Sequence, residues 1–236
     1  MMDCAWSVSV KTLVLGIGNL LWADEGFGVR CVERFNQKYQ CDDSVLLMDG
    51  GTQGIYLVHH VQECEQLLVF DAIDYGLTPG EIKIIEGDNV PRFMGAKKVS
   101  LHQTGFQEVI STAQLMGWEP KAIVLIGVQP AWIEDFGGSL TPEVKPQLEV
   151  CVDLGADILR QWQVGVALRP VDEQGLLPSE LDISRYESER PDESVACRVG
   201  DERILVSDAY DIHPVAVQEC CRAVPIDGRL LFTDRD

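Results

Sequence analysis

Glu25 lies just past an apolar stretch, Thr12 to Ile17, and a Gly-Asn turn, in a run whose neighbours otherwise read as buried. Two later segments end in the same way. Leu68-Val-Phe-Asp71 delivers a second carboxylate, and Val99-Ser-Leu-His102 an imidazole. Two carboxylates and one histidine form a metal-binding donor set, and three protein ligands leave coordination positions open for water or a substrate group. Each member also has a plainer reading. Asp24 or Glu25 caps a helix, Asp71 ends a strand by accepting loop amides, and His102 is a satisfied surface residue. Only their meeting at one crevice makes a site, so the elements between them decide the matter.

Residues 12 to 164 alternate short apolar runs with amphipathic stretches, the pattern of a three-layer α/β/α domain with a mostly parallel sheet. Strands are expected at Thr12 to Ile17, Val45 to Met48, Gln66 to Phe70, Glu81 to Glu86 and Ala122 to Val128. Only about ten residues, with Gly76, Pro79 and Gly80 among them, separate the third and fourth strands. A parallel crossover needs a dozen or more, so the fourth strand runs antiparallel to the third and the five-stranded sheet is mixed. Helices are expected from Asp24, as N-cap, to Tyr39, to about Val61 after the loop Gly50 to Gly54, over Thr104 to Met116, and from Thr141-Pro142-Glu143 to Trp162. Right-handed crossovers put strand two on one side of strand one and strand three on the other. Ligands bind α/β sheets in the crevice at that reversal, and Glu25 and Asp71 flank it. His102 joins them if the helix beginning near Gln103 starts at the same edge.

Residues 1–11 read as an N-terminal extension and residues 165–236 as an irregular, acidic C-terminal one. From residue 164 onward there are 16 acidic residues against 8 arginines and no lysine, a net −8 of the chain's −19. Helical periodicity is lost there, Ser179 to Glu193 reads as loop or disorder, Val195 to Val206 as a hairpin, and Gly228 to Thr233 as a strand. Such an arm suits docking to a basic surface.

The charge of −19 opposes nucleic-acid and anionic-membrane binding. No window approaches a membrane span or a secretion signal, which implies a cytoplasmic protein. Eight cysteines without CxxC spacing imply small buried hydrophobes, with no disulfide framework. The Gly16-Ile-Gly18 pair lacks the third glycine of a dinucleotide fingerprint, position 21 being leucine, and the acids of the helix start repel pyrophosphate. Neither a Gly-x-Ser-x-Gly elbow nor a His-Glu-x-x-His helix occurs. His59-His60 read as an exposed pair. His213 with Cys197, Cys220 and Cys221 matches no zinc spacing.

Gly-Ile-Gly-Asn-Leu-Leu-Trp-Ala-Asp-Glu-Gly-Phe-Gly (16–28), Asp-Gly-Gly-Thr-Gln-Gly (49–54), Phe-Asp-Ala-Ile-Asp-Tyr-Gly (70–76), Ser-Leu-His-Gln (100–103) and Gly-Val-Gln-Pro-Ala (127–131) follow one another in order and at compatible spacing. From about Thr12 to Trp162 the chain resembles the NiFe-hydrogenase maturation endopeptidases, notably the uptake-hydrogenase type. The resemblance implies an enzyme that removes a C-terminal peptide from the hydrogenase large-subunit precursor after nickel insertion, and the free chain is expected to be monomeric. It implies Glu25, Asp71 and His102 as ligands of nickel supplied by the precursor, and it brings Asp49 near the substrate, with a structural role for Asp49 equally open. Asp74 is the rival to Asp71, three residues further into the loop. A non-catalytic, nickel-checking chaperone of the same precursor would use the same ligands.

Overall fold

The computed structural model describes residues 11–91, 101–170, 175–190, 221–226 and 229–234, with the backbone alone for 101–104 and for the last two segments. Five strands form one sheet: β1 (Thr12–Ile17), β3 (Val45–Gly51), β4 (Gln66–Ala72), β5 (Ile82–Glu86) and β6 (Ala122–Val128), in the order β3-β1-β4-β6-β5. The four strands other than β5 are parallel, with Thr12 opposite Val45 and Gln66, and Gln66 opposite Ala122. β5 is antiparallel to β6.

Every residue of β1 is buried, as a central parallel strand covered on both faces requires. On one face Leu13, Leu15 and Val69 meet Leu57 and Val61 of the turn and helix α2 (Val58–Glu63), and Phe106 and Ile110 of α3 (Leu101–Leu115). On the other, Val14, Leu68 and Phe70 meet Phe27, Cys31 and Phe35 of α1 (Phe27–Lys38), and Cys151 and Leu159 of α4 (Gln147–Gln161). The expected three-layer mixed architecture and its reversal between β3-β1 and β4 are present. β5 runs opposite to β4 as expected, but its partner is β6, so it closes the sheet edge beyond the last parallel strand.

Three local expectations give way. Asp24 lies in a short 3-10 turn, Ala23–Gly26, and does not cap α1; its N-cap is Gly26, which makes no side-chain bond. Residues 142–146 form turns, and α4 begins only at Gln147. Ser179 to Glu193 is not irregular throughout: a 3-10 turn, Ser179–Leu181, precedes α5 (Ile183–Glu189), and Asp182 caps that helix by accepting from the N–H groups of Ser184 and Arg185.

The chain also remains in the domain past residue 164. Tyr39–Cys41 (β2) pairs antiparallel with Val166–Leu168 (β7), and Arg169 donates from Nε to the carbonyls of Asn36 and Tyr39. Met1–Val199 form one compact unit and Gly200–Asp236 another. In the second, Cys221–Ile226 (β8) pairs with Arg229–Asp234 (β9), where a strand was expected. The expected hairpin at Val195–Val206 and the tail residues Cys197, His213 and Cys220 lie outside the described residues. Among the described residues, no helix is long and apolar enough to cross a membrane.

Candidate active site

The C-terminal edge of the sheet is built on close backbone approaches that admit only glycine. Gly18, at φ +138°, follows β1; a Cβ there would lie 1.8 Å from the carbonyl oxygen of Glu25. At Gly28 it would lie 2.2 Å from the carbonyl oxygen of Phe70. These two contacts press the start of α1 onto the ends of β1 and β4. The turn bearing Glu25 therefore sits next to the strand end bearing Asp71. Asn19 N–H donates to the Glu25 carbonyl at 3.1 Å, and Glu25 N–H to the Trp22 carbonyl at 2.9 Å, which fixes the backbone on both sides. Ala23 takes φ +42°, a conformation that costs a non-glycine residue about 1 kcal/mol or more and needs its surroundings to hold it.

Asp24 supplies that hold. Its carboxylate is fully buried. Oδ2 accepts from Ala131 N–H at 2.9 Å, Trp132 N–H at 3.0 Å and Thr141 Oγ1 at 3.0 Å, while Oδ1 accepts from Thr141 N–H at 2.8 Å. Four donors on one carboxyl group offset the cost of its burial. The acid read as a helix cap thus ties the Glu25 turn to the loop 131–141, and the hydroxyl of Thr141, the expected start of the last helix, is one of its partners.

Glu25 is half-buried and Asp71 fully buried. Asp71 Oδ1 accepts from Ala72 N–H at 2.8 Å. Tyr75 lies beside it, and burial together with the Asp71 charge pushes the phenol well above its usual range. Asp74, the rival acid, is committed to its own loop, accepting from Gly76 N–H at 2.8 Å and Gln129 Nε2 at 3.0 Å. Gln129 in turn accepts from Tyr75 N–H and Leu77 N–H. This buried glutamine fixes the loop after Asp71. Its appearance in the motif of residues 127–131 was the only sequence signal for that role.

Asp49 lies two residues before the end of β3, and its Oδ1 accepts from Gly51 N–H at 2.8 Å. Burial raises its pKa, and the Gly51 bond opposes that rise. It lines a cleft of about 190 Å³ with Gly18, Asn19, Leu20 and Thr52. His102 lies in the first turn of α3. That end of the helix meets the glycine loop after β3, since a Cβ on Gly105 would sit 3.4 Å from Gly54 Cα. The imidazole lies outside the described residues. Among the described residues no three His, Cys, Asp or Glu side chains gather as a metal cluster. The structure therefore brings the Glu25 and Asp71 backbones together and places the His102 helix start at the neighbouring loop. His59 is exposed on α2, 3.5 Å from Glu63.

Aromatic side chains, which the sequence reading did not single out, rim this edge. Trp132 is 59% and Phe136 45% exposed, and Phe136 meets Trp22 edge-on at 5.4 Å. The edge thus sets the acid-bearing turn of Glu25 against the acid-bearing end of β4, with exposed aromatic rings on the loop that Asp24 ties to that turn.

A family model described as hydrogenase maturation protease matches residues 29–158. The hydrogenase expression/formation protein HupM of Azotobacter chroococcum is 55% identical over 197 residues, spanning 84% of this chain and 94% of that protein. HoxM of Cupriavidus necator is 55% identical over 202 residues, spanning 83% and 98%. Among solved structures, the hydrogenase maturating endopeptidase HybD from E. coli has a TM-score of 0.64 at 36% identity, covering 67% of this chain and 98% of its own.

Proposed function

This chain belongs to the hydrogenase maturation protease family, and from that membership we propose that it is an endopeptidase removing the C-terminal peptide of the NiFe-hydrogenase large-subunit precursor once nickel is in place. The observation that supports this reading is the adjacency of two acid-bearing segments: Gly18 and Gly28 hold the Glu25 turn against the end of β4, where Asp71 is buried. In this reading Glu25, Asp71 and His102 bind nickel that the precursor brings, and Asp49, lining the cleft beside them, approaches the precursor chain. The set contains no thiolate, so it binds nickel weakly by itself. A precursor already holding nickel through its own cysteines completes the shell. Nickel then serves as the handle by which a loaded precursor is told from an empty one, and as a Lewis acid it can polarise the scissile carbonyl or lower the pKa of a bound water. In this reading the enzyme acts in the cytoplasm.

Glu25→Gln tests the reading. The variant keeps the shape and removes the charged donor. It should leave the precursor mass unchanged while melting within about 2 °C of the parent, as half-exposed substitutions away from the core do. Continued release of a peptide by this variant would sink the proposal. Stable capture of nickel-loaded precursor by the unmodified chain, with no loss of mass, would favour a chaperone.

A further inference from the structure

The loop between β6 and α4 is held from two sides. Its ends bond to Asp24, and Gly137 N–H donates to the Leu21 carbonyl at 2.7 Å. Its middle is held by the extension. Arg190 Nη2 meets Asp135 Oδ2 at 3.0 Å, and Glu187 Oε1 accepts from Ser139 Oγ at 2.8 Å while the same carboxylate takes both contacts of Lys145 Nζ, at 2.8 and 2.6 Å. The segment making these contacts is itself fastened to α1, which begins two residues after Glu25. Glu33 Oε2 accepts from Leu176 N–H at 2.7 Å and Leu177 N–H at 3.0 Å, and the buried Arg30 guanidinium donates to the Leu181 carbonyl and lies 5.4 Å from the Tyr186 ring centre. A continuous path of hydrogen bonds thus runs from α1 through residues 176–190 to the loop carrying Trp132 and Phe136.

We propose that residues 176–190 act as a strap that holds this aromatic loop in its binding conformation, with Arg190 and Glu187 as positioning residues for precursor binding. The proposal rests on the endopeptidase reading only in naming the precursor. The loop contains two consecutive glycines, Gly137 and Gly138, and a peptide that must order it on binding gives up affinity to conformational entropy. The strap removes that cost beforehand. The contacts named above join it to α1 and to the loop, and the proposal assigns it to binding and not to the chemical step.

The experiment uses the full chain with Arg190→Gln, Glu187→Gln and Arg190→Lys, followed by steady-state cleavage of nickel-loaded precursor and by hydrogen–deuterium exchange of the peptide covering residues 131–141. Arg190→Gln and Glu187→Gln should each raise KM about threefold to tenfold with kcat within about twofold, the range expected of partly screened charge contacts. Exchange should quicken in 131–141 and stay unchanged in β1 and β4. Arg190→Lys should recover most of the KM, and Asp135→Asn should add nothing to Arg190→Gln. Unchanged KM with unchanged exchange in 131–141 would overturn the strap, as would faster exchange throughout the domain with a fall in kcat. If the unmodified chain cleaves no precursor, the endopeptidase reading fails, and the exchange pattern still decides whether the strap orders the loop.

Discussion

Asp24 shows how one side chain can serve the site without joining the chemistry. Its four hydrogen bonds fix the loop 131–141 against a turn whose Ala23 sits at φ +42°. Asp24→Ala leaves three backbone donors and a hydroxyl without their acceptor and should cost about 3–5 kcal/mol of unfolding free energy. Asp24→Asn keeps one accepting oxygen and should cost about half as much. Chemical denaturation of both variants measures this; a loss under about 1 kcal/mol for the alanine would show that the loop is held by other contacts. An acid at a helix start reads as a cap, and its spacing from position 131 gave no hint of the tether. Asp71, by contrast, was readable because a run of apolar residues ending in an acid marks a strand end.

The strands were legible where both faces are buried: β1 and β6 begin and end where their apolar runs do. The partner of β5 was not, because the short loop fixes only its direction and leaves its neighbour open. The contacts of the extension are less legible still. Its acidity reads as solvated, yet Glu33 and Arg30 of α1 are buried because residues 176–187 cover and bond them. Charges whose partners lie some 150 positions away leave no periodic trace. A chain ending after Gly165 loses β7, the Arg169 contacts and the strap. Most of these contacts are partly exposed and together are worth only a few kcal/mol, so it should melt about 10 °C lower. A chain ending after Val199, the limit of the compact unit, should melt within about 2 °C of the parent. Equal melting temperatures for the two truncations would show that the extension is only appended.

At the scale of the whole molecule, two covered sheet faces leave the C-terminal edge as the place where carboxylates, glycine loops and exposed aromatics coincide. The net charge of −19 favours a partner that presents a cation. In the proposed function nickel is the part of the precursor that is read, and this can be tested without any variant. Purified chain is incubated with the large-subunit precursor in nickel-loaded and nickel-free form, and the precursor mass is followed by mass spectrometry. Loss of one C-terminal peptide from the loaded form alone is the predicted result. Equal cleavage of both forms would contradict it.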